Sequence, residues 1–141
     1  MPTIHLLPDH QLLTRAGQAI GRFHQQAAAE HGLTSTSMGA LDELSRRGGG
    51  TSHRELAAHL GITPATLTPV IDALADAGDL TRGRDPADRR VVRLSITAHG
   101  RERFTAAAAP VAAAVRARIP QLPPEHATIV RDYLLAVLEV G

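Results

Sequence analysis

The chain has 141 residues, 43% of them hydrophobic, with fifteen basic and fourteen acidic side chains and a formal net charge of +1. That is enough apolar content for one domain, or a compact domain with a helical extension, and it is not the composition of a disordered chain. Cysteine is absent, which excludes disulfides, thiolate zinc sites and thiol-based redox sensing. No run of about 18 apolar residues could span a membrane. The N-terminus has no basic flank and its short apolar run is broken by Pro8-Asp9, so a signal peptide is not expected. A cytoplasmic protein without a membrane partner is the expected class.

In chain order, Leu12, Leu13, Ala16, Ile20, Phe23 and Ala27 recur at three- and four-residue steps. They predict an amphipathic helix over about 9–30, stopped by Gly32. Thr34 to Ser37 supplies cap candidates for a second helix carrying Met38, Leu41 and Leu44. Gly48-Gly49-Gly50 is a flexible break, not a phosphate loop: no Lys follows and no strand precedes it. Ser52-x-x-Glu55 has the spacing of a capping box, opening a short helix with Leu56, Ala57 and Leu60 inward. Gly61 turns the chain, and Thr63-Pro64 restarts it as cap and first helical residue, where Pro costs least. Leu67, Val70, Ile71 and Leu74 form the next buried stripe, ended by Gly78. Helix, tight Gly turn, helix is the arrangement of a helix-turn-helix, although any small helical pair would produce the same pattern.

From Gly83 to Gly100 the pattern changes. Asp85-Pro86 initiates a turn, and Val92, Leu94 and Ile96 then alternate with Arg93 and Ser95, the period of a half-buried strand. Leu80–Arg84 can supply its partner. Seven of the fifteen arginines (82, 84, 89, 90, 93, 101 and 103) fall between Arg82 and Arg103 against three acids, Asp85, Asp88 and Glu102, which makes that segment +4. An arginine-tipped ribbon suits a narrow, electronegative DNA groove; a solvated hairpin with ordinary surface charge is the bland alternative. Thr97 caps an Ala-rich helix over about 98–118. Pro120, Pro123 and Pro124 separate it from a last helix bearing Ile129, Val130, Tyr133, Leu134, Val137 and Leu138. The outer helices carry more apolar surface than a core of about 50 residues covers, which points to dimerisation.

Asp85-Pro86-Ala87-Asp88-Arg89-Arg90 followed by Leu94-Ser95-Ile96-Thr97 and Gly100 resembles the wing signature of the MarR family of bacterial transcriptional regulators. Glu55-Leu56-Ala57, Leu60-Gly61 and Leu74-Ala75-Asp76-Ala77-Gly78 resemble that family's helix-turn-helix. The resemblance covers about residues 10–138. It implies a single domain over 1–141, mainly α with a small two-stranded β wing: a winged helix-turn-helix lobe over about 36–97, flanked by N- and C-terminal dimerisation helices over about 9–31 and 98–139.

It further implies a homodimer, probing a pseudo-palindromic operator in double-stranded DNA and acting as a repressor relieved by a small aromatic or phenolic ligand. Recognition helix 63–77 would enter the major groove and wing 83–93 would meet the minor groove. The expected contacts are Thr63, Thr66 and Thr68 on the helix and Arg82, Arg84, Asp88, Arg89 and Arg90 on the wing. Arg90 would be the wing-tip arginine, held by Asp88 two residues earlier.

Two departures from the family pattern stand out. Helix 63–77 contains no arginine, Pro69 and Ala73 occupy positions that are basic in many members, and Asp72 with Asp76 makes it net −2. This suggests reliance on the wing and on DNA shape more than on base reading. Leu67-Thr68-Pro69 is similar to the branch that senses organic hydroperoxides, but that branch uses a cysteine and this chain has none. His24, at helical spacing from Ile20 and Ala27, is a weak candidate for lining a ligand crevice and more simply a packed interface residue. No cofactor and no metal site are expected: His53 and His59 are six residues apart, and Gly32 ends the helix just after His31. A metal-responsive regulator and a winged helix used only for protein contact are the alternatives. An enzyme is not expected, because no nucleophile with its base, carboxylate pair or phosphate cradle is recognisable.

Overall fold

The computed structural model describes residues 2–48 and 50–140. After a 3-10 turn at Pro2–Leu6 come helices α1 (Asp9–Ala29) and α2 (Ser35–Arg47), strand β1 (Thr51–Ser52), α3 (His53–Leu60) and α4 (Pro64–Asp76). Strands β2 (Leu80–Arg84) and β3 (Val92–Ile96) follow, then α5 (Ala98–Ala117) and α6 (Pro124–Val140). The protein is therefore mainly helical around a small antiparallel sheet. The expected β2–β3 wing is present, with Arg82 opposite Leu94 and Arg84 opposite Val92. A third strand not foreseen from sequence, β1, pairs with the other edge of β3, giving the order β1-β3-β2. Two residues are too few for periodicity to register.

Local chemistry sets the element ends. Thr34 and Ser37 form a reciprocal capping box at the start of α2. At α3, the Ser52 hydroxyl accepts from the Glu55 amide. Thr63 caps α4 by accepting from the Thr66 amide at 3.1 Å, with Pro64 at the first helical position. Gly61 closes α3 at φ 69° and Gly78 follows α4 at φ 80°, left-handed conformations that disfavour a side chain.

Leu41, Leu44, Leu56, Leu67, Ile71 and Leu94 are fully buried and join α2, α3, α4 and the sheet into one core. Ala28, Ala107, Val111 and Val115 extend it between α1 and α5. The outer helices are different. Along α1 only Ala27 and Ala28 are buried, leaving Leu12 and Ile20 of the expected stripe in solvent. In α6 no residue is buried, and Leu138 is 76% exposed.

Candidate nucleic-acid interface

Helix α4 packs Leu67, Ile71 and Leu74 inward and turns Ala65, Thr68, Pro69, Asp72 and Asp76 outward. Its N-terminus carries the three expected threonines, and all three hydroxyls have partners. The Thr63 and Thr66 hydroxyl oxygens lie 2.8 Å apart, so one proton of that pair stays available. The Thr68 hydroxyl donates to the Pro64 carbonyl at 3.0 Å, leaving its methyl and lone pairs for an outside contact. His53, from the start of α3, donates from Nε2 to the same Pro64 carbonyl at 2.9 Å, joining the two N-termini of the helix-turn-helix.

The wing is braced from inside. Asp85 accepts from the Ala87 and Asp88 amides, an Asx-type turn that shapes the tip, and its own amide donates to the Val91 carbonyl at 2.9 Å. The Ala87 amide and the Arg93 guanidinium hold the Asp85 carboxyl below the usual carboxylate range. Arg93 reaches Asp85 at 2.9 Å and also donates to the Gly50 carbonyl at 3.1 Å and to Glu55 at 3.4 Å, tying the wing to β1 and α3.

The wing arginines differ in what they touch. Arg90 donates from Nε to Asp88 at 3.1 Å and from Nη2 at 3.3 Å while its side chain is 92% exposed. The Arg90 side chain and amide depress the Asp88 carboxyl. Asp88 and Arg90 thus meet as the sequence reading expected. Arg84 donates to the Arg89 carbonyl at 2.8 Å and shapes the tip from within. Arg89 is exposed and makes no ion pair with another described residue. Arg82, on β2, turns its side chain to α4 and pairs with Asp72 at 2.6 Å. A groove between the helix-turn-helix and the wing tip is lined by His53, Arg54, Pro64, Asp88, Arg90 and Arg93 among others.

Behind α4 lies an apolar cavity of about 340 Å³, lined by Leu33, Ser37, Val70, Ala73, Leu74 and Arg103 among others. Arg103 was not singled out from sequence. It donates to the Gly32 carbonyl at 2.7 Å and pairs with Asp79, which is fully buried at the start of β2. The other Asp79 oxygen has no hydrogen-bond partner, and His99 Nε2 is 3.6 Å away. No spacing rule links positions 32, 79 and 103, so only the packed fold reveals this node. His24 is exposed on α1 and is not among the residues lining this cavity. Among the described residues, no three His, Asp or Glu side chains gather to hold a metal.

Comparison with known proteins points the same way as the wing and helix-turn-helix motifs. The MarR family model matches residues 33–92, from just before α2 through the helix-turn-helix to the first residue of β3. That segment of the chain is similar to the MarR family. The resemblance drawn from the wing and helix-turn-helix residues is thereby confirmed. The chain is 37% identical over 89 residues to the HTH-type transcriptional regulator YcgE of Bacillus subtilis, a stretch covering 62% of the chain and 57% of that regulator's length.

Among solved structures it is similar to CouR of Rhodococcus jostii RHA1 bound to p-coumaroyl-CoA (28% identity, 89% and 88% of the two chains, TM-score 0.75). CouR, a transcriptional repressor, is also known bound to a 23-mer DNA duplex (28% identity, 98% and 94% of the chains, TM-score 0.79). BpsR of Bordetella bronchiseptica, whose DNA binding is regulated by 6-hydroxynicotinic acid, matches at 26% identity over 95% and 94% of the chains, with a TM-score of 0.80. The family and these relatives are transcriptional regulators and not enzymes. Among the described residues no helix is long and apolar enough to cross a membrane.

Proposed function

We propose that this protein is a MarR-family regulator: a homodimeric, sequence-specific repressor that binds a pseudo-palindromic operator and is released by a small aromatic or phenolic acid. The observation that carries the reading is the pre-set wing tip: Asp88 orients Arg90 in solvent, at a groove that Pro64, the first residue of the capped helix α4, also lines. An arginine already held in place loses less rotamer freedom when it enters a groove. Helix 63–77 would enter the major groove, with Thr63, Thr66 and Thr68 at its leading end. Wing 83–93 would track the minor groove through Arg89 and Arg90, with Arg84 setting the tip. The similarity to CouR, solved on a DNA duplex, supports this placement.

The second copy would cover α6 and the open stripe of α1. A 17-residue helix without one buried side chain leaves most of its apolar face uncovered by its own chain. Inducer would enter the cavity behind α4, whose size suits a small ring and whose polar wall offers the Arg103 guanidinium to a carboxylate. Binding there would compete with Asp79 and Gly32 for Arg103, shifting the junction between α4 and β2. Couplings of this kind are typically about 1–3 kcal/mol. The ligands named for CouR and BpsR support the chemical class.

The test is fluorescence anisotropy on a duplex from the gene's own upstream region, against random competitor DNA, at two salt concentrations. Tight binding that survives competitor and weakens on titration with aromatic acids is expected. Equal loss on both DNAs would overturn specific DNA reading from that region and favour the protein-contact alternative.

A further inference from the structure

Helix α4 contains no arginine, yet one guanidinium is bonded to it. Arg82 lies two residues beyond Leu80 on β2, on the same face of the sheet as that buried side chain, so it is directed toward α4. There its Nη1 donates to Asp72 Oδ1 at 2.6 Å. Asp72 sits mid-helix on the outward face, one turn beyond Thr68 and opposite the buried stripe of Leu67, Ile71 and Leu74. Among the described residues, Arg82 is the only arginine hydrogen-bonded to α4.

We propose that Arg82 belongs to the base-reading surface of α4: a guanine-reading arginine supplied by the neighbouring strand and buttressed by Asp72, not a wing contact. The proposal rests on the DNA-binding reading above and names the residue that gives it base specificity.

The donor inventory carries the argument. A guanidinium has five N–H donors in a planar fork, and this one spends an Nη1 proton on Asp72. The Nε and Nη2 edge remains for the O6 and N7 acceptors of a guanine, the commonest specific major-groove contact. Its neighbours are committed elsewhere. Arg93 spends its fork on Asp85, Gly50 and Glu55; Arg84 holds the Arg89 carbonyl; Arg90 projects from the wing tip. The Arg82 and Asp72 side chains are 42% and 52% exposed, so the pair adds little to fold stability. An acid on a helix facing DNA would otherwise only repel phosphate. Paired, it fixes the rotamer of the reader before binding.

The test is selection of randomised duplexes by the full-length wild type, R82K, R82A and D72N, with thermal unfolding of each to confirm the fold. The wild type is expected to select a symmetric motif with one guanine in each half-site. R82A and R82K should lose about ten-fold or more of that guanine preference and keep the rest of the motif, because Lys retains charge but not the fork. D72N should blur the same position although it removes a negative charge near DNA. Unchanged guanine preference in R82K would overturn the proposal. So would an R82A that weakens all sequences evenly with a shallower salt dependence, the mark of a phosphate contact, or a D72N that sharpens the position. A wild type that selects no motif would overturn the DNA-binding reading, and this proposal with it.

Discussion

Asp88 and Arg90 act as one unit because the carboxylate accepts from the Arg90 amide as well as its guanidinium, fixing backbone and side chain together. Arg90→Ala is therefore expected to weaken operator binding by on the order of ten-fold or more, about 1.4 kcal/mol per factor of ten. Arg116→Ala, an exposed arginine of α5 remote from the wing, should change it little. Asp88→Ala should also weaken binding, by freeing Arg90, even though it removes a negative charge that repels phosphate. Anisotropy titrations at fixed salt decide both. Equal effects at positions 90 and 116 would remove the wing assignment, and tighter binding by the Asp88 variant would make that carboxylate a repeller.

At the scale of elements, two junctions hold the helix-turn-helix and the wing in shape. One is the start of α5. Thr97 donates its hydroxyl proton to the Gly78 carbonyl at 2.6 Å and accepts from the Gly100 amide at 3.0 Å, while its own amide donates to the Asp79 carbonyl. A Cβ on Gly100 would lie 2.0 Å from the Asp79 carbonyl oxygen, an impossible approach. Gly100→Ala should therefore destabilise the protein by about 1–3 kcal/mol or more, the cost of overpacking a fixed backbone contact, read from denaturant unfolding.

The other junction is the wing turn around Asp85 and Asp88. Both carboxyls are depressed in the folded hairpin, by the Ala87 amide and Arg93 at Asp85 and by Arg90 at Asp88. Their support is thus present above the unfolded-state carboxylate pKa and is lost only as pH falls through the lower folded values. In an NMR titration, the Ala87 and Arg90 amides should keep native shifts through about pH 4 and move below it. Midpoints at or above the ordinary carboxylate value would contradict the brace.

For the whole molecule, the decisive feature is the apolar surface that one chain leaves open on α1 and α6. Leu134 and Leu138 are both exposed in the single chain. If a second copy covers them, replacing both with Glu should raise the dimer dissociation constant roughly a hundred-fold or more, since burying each leucine contributes about 1.5–3 kcal/mol. Sedimentation equilibrium measures this directly. Operator binding should fall with dimerisation, because two lobes on one palindrome depend on a fixed separation. A variant that stays dimeric would assign α6 to some other occupant.

Much of this molecule was readable in its sequence, because local rules determine local structure. Thr63-Pro64, Gly61 and Gly78 mark their helix ends by capping chemistry and by a backbone angle that favours Gly. The alternation from Val92 to Ile96 marks its strand, and the Asp88–Arg90 contact spans two residues. What needed the tertiary structure joins distant positions: Arg82 to Asp72, Arg93 to Gly50, Arg103 to both Gly32 and Asp79, and the pairing of β1 with β3. Periodicity and capping act over a few residues, whereas these contacts depend on how helices and sheet pack. That packing set the Arg82 side chain of β2 against Asp72 of α4, and it left α6 without a buried residue.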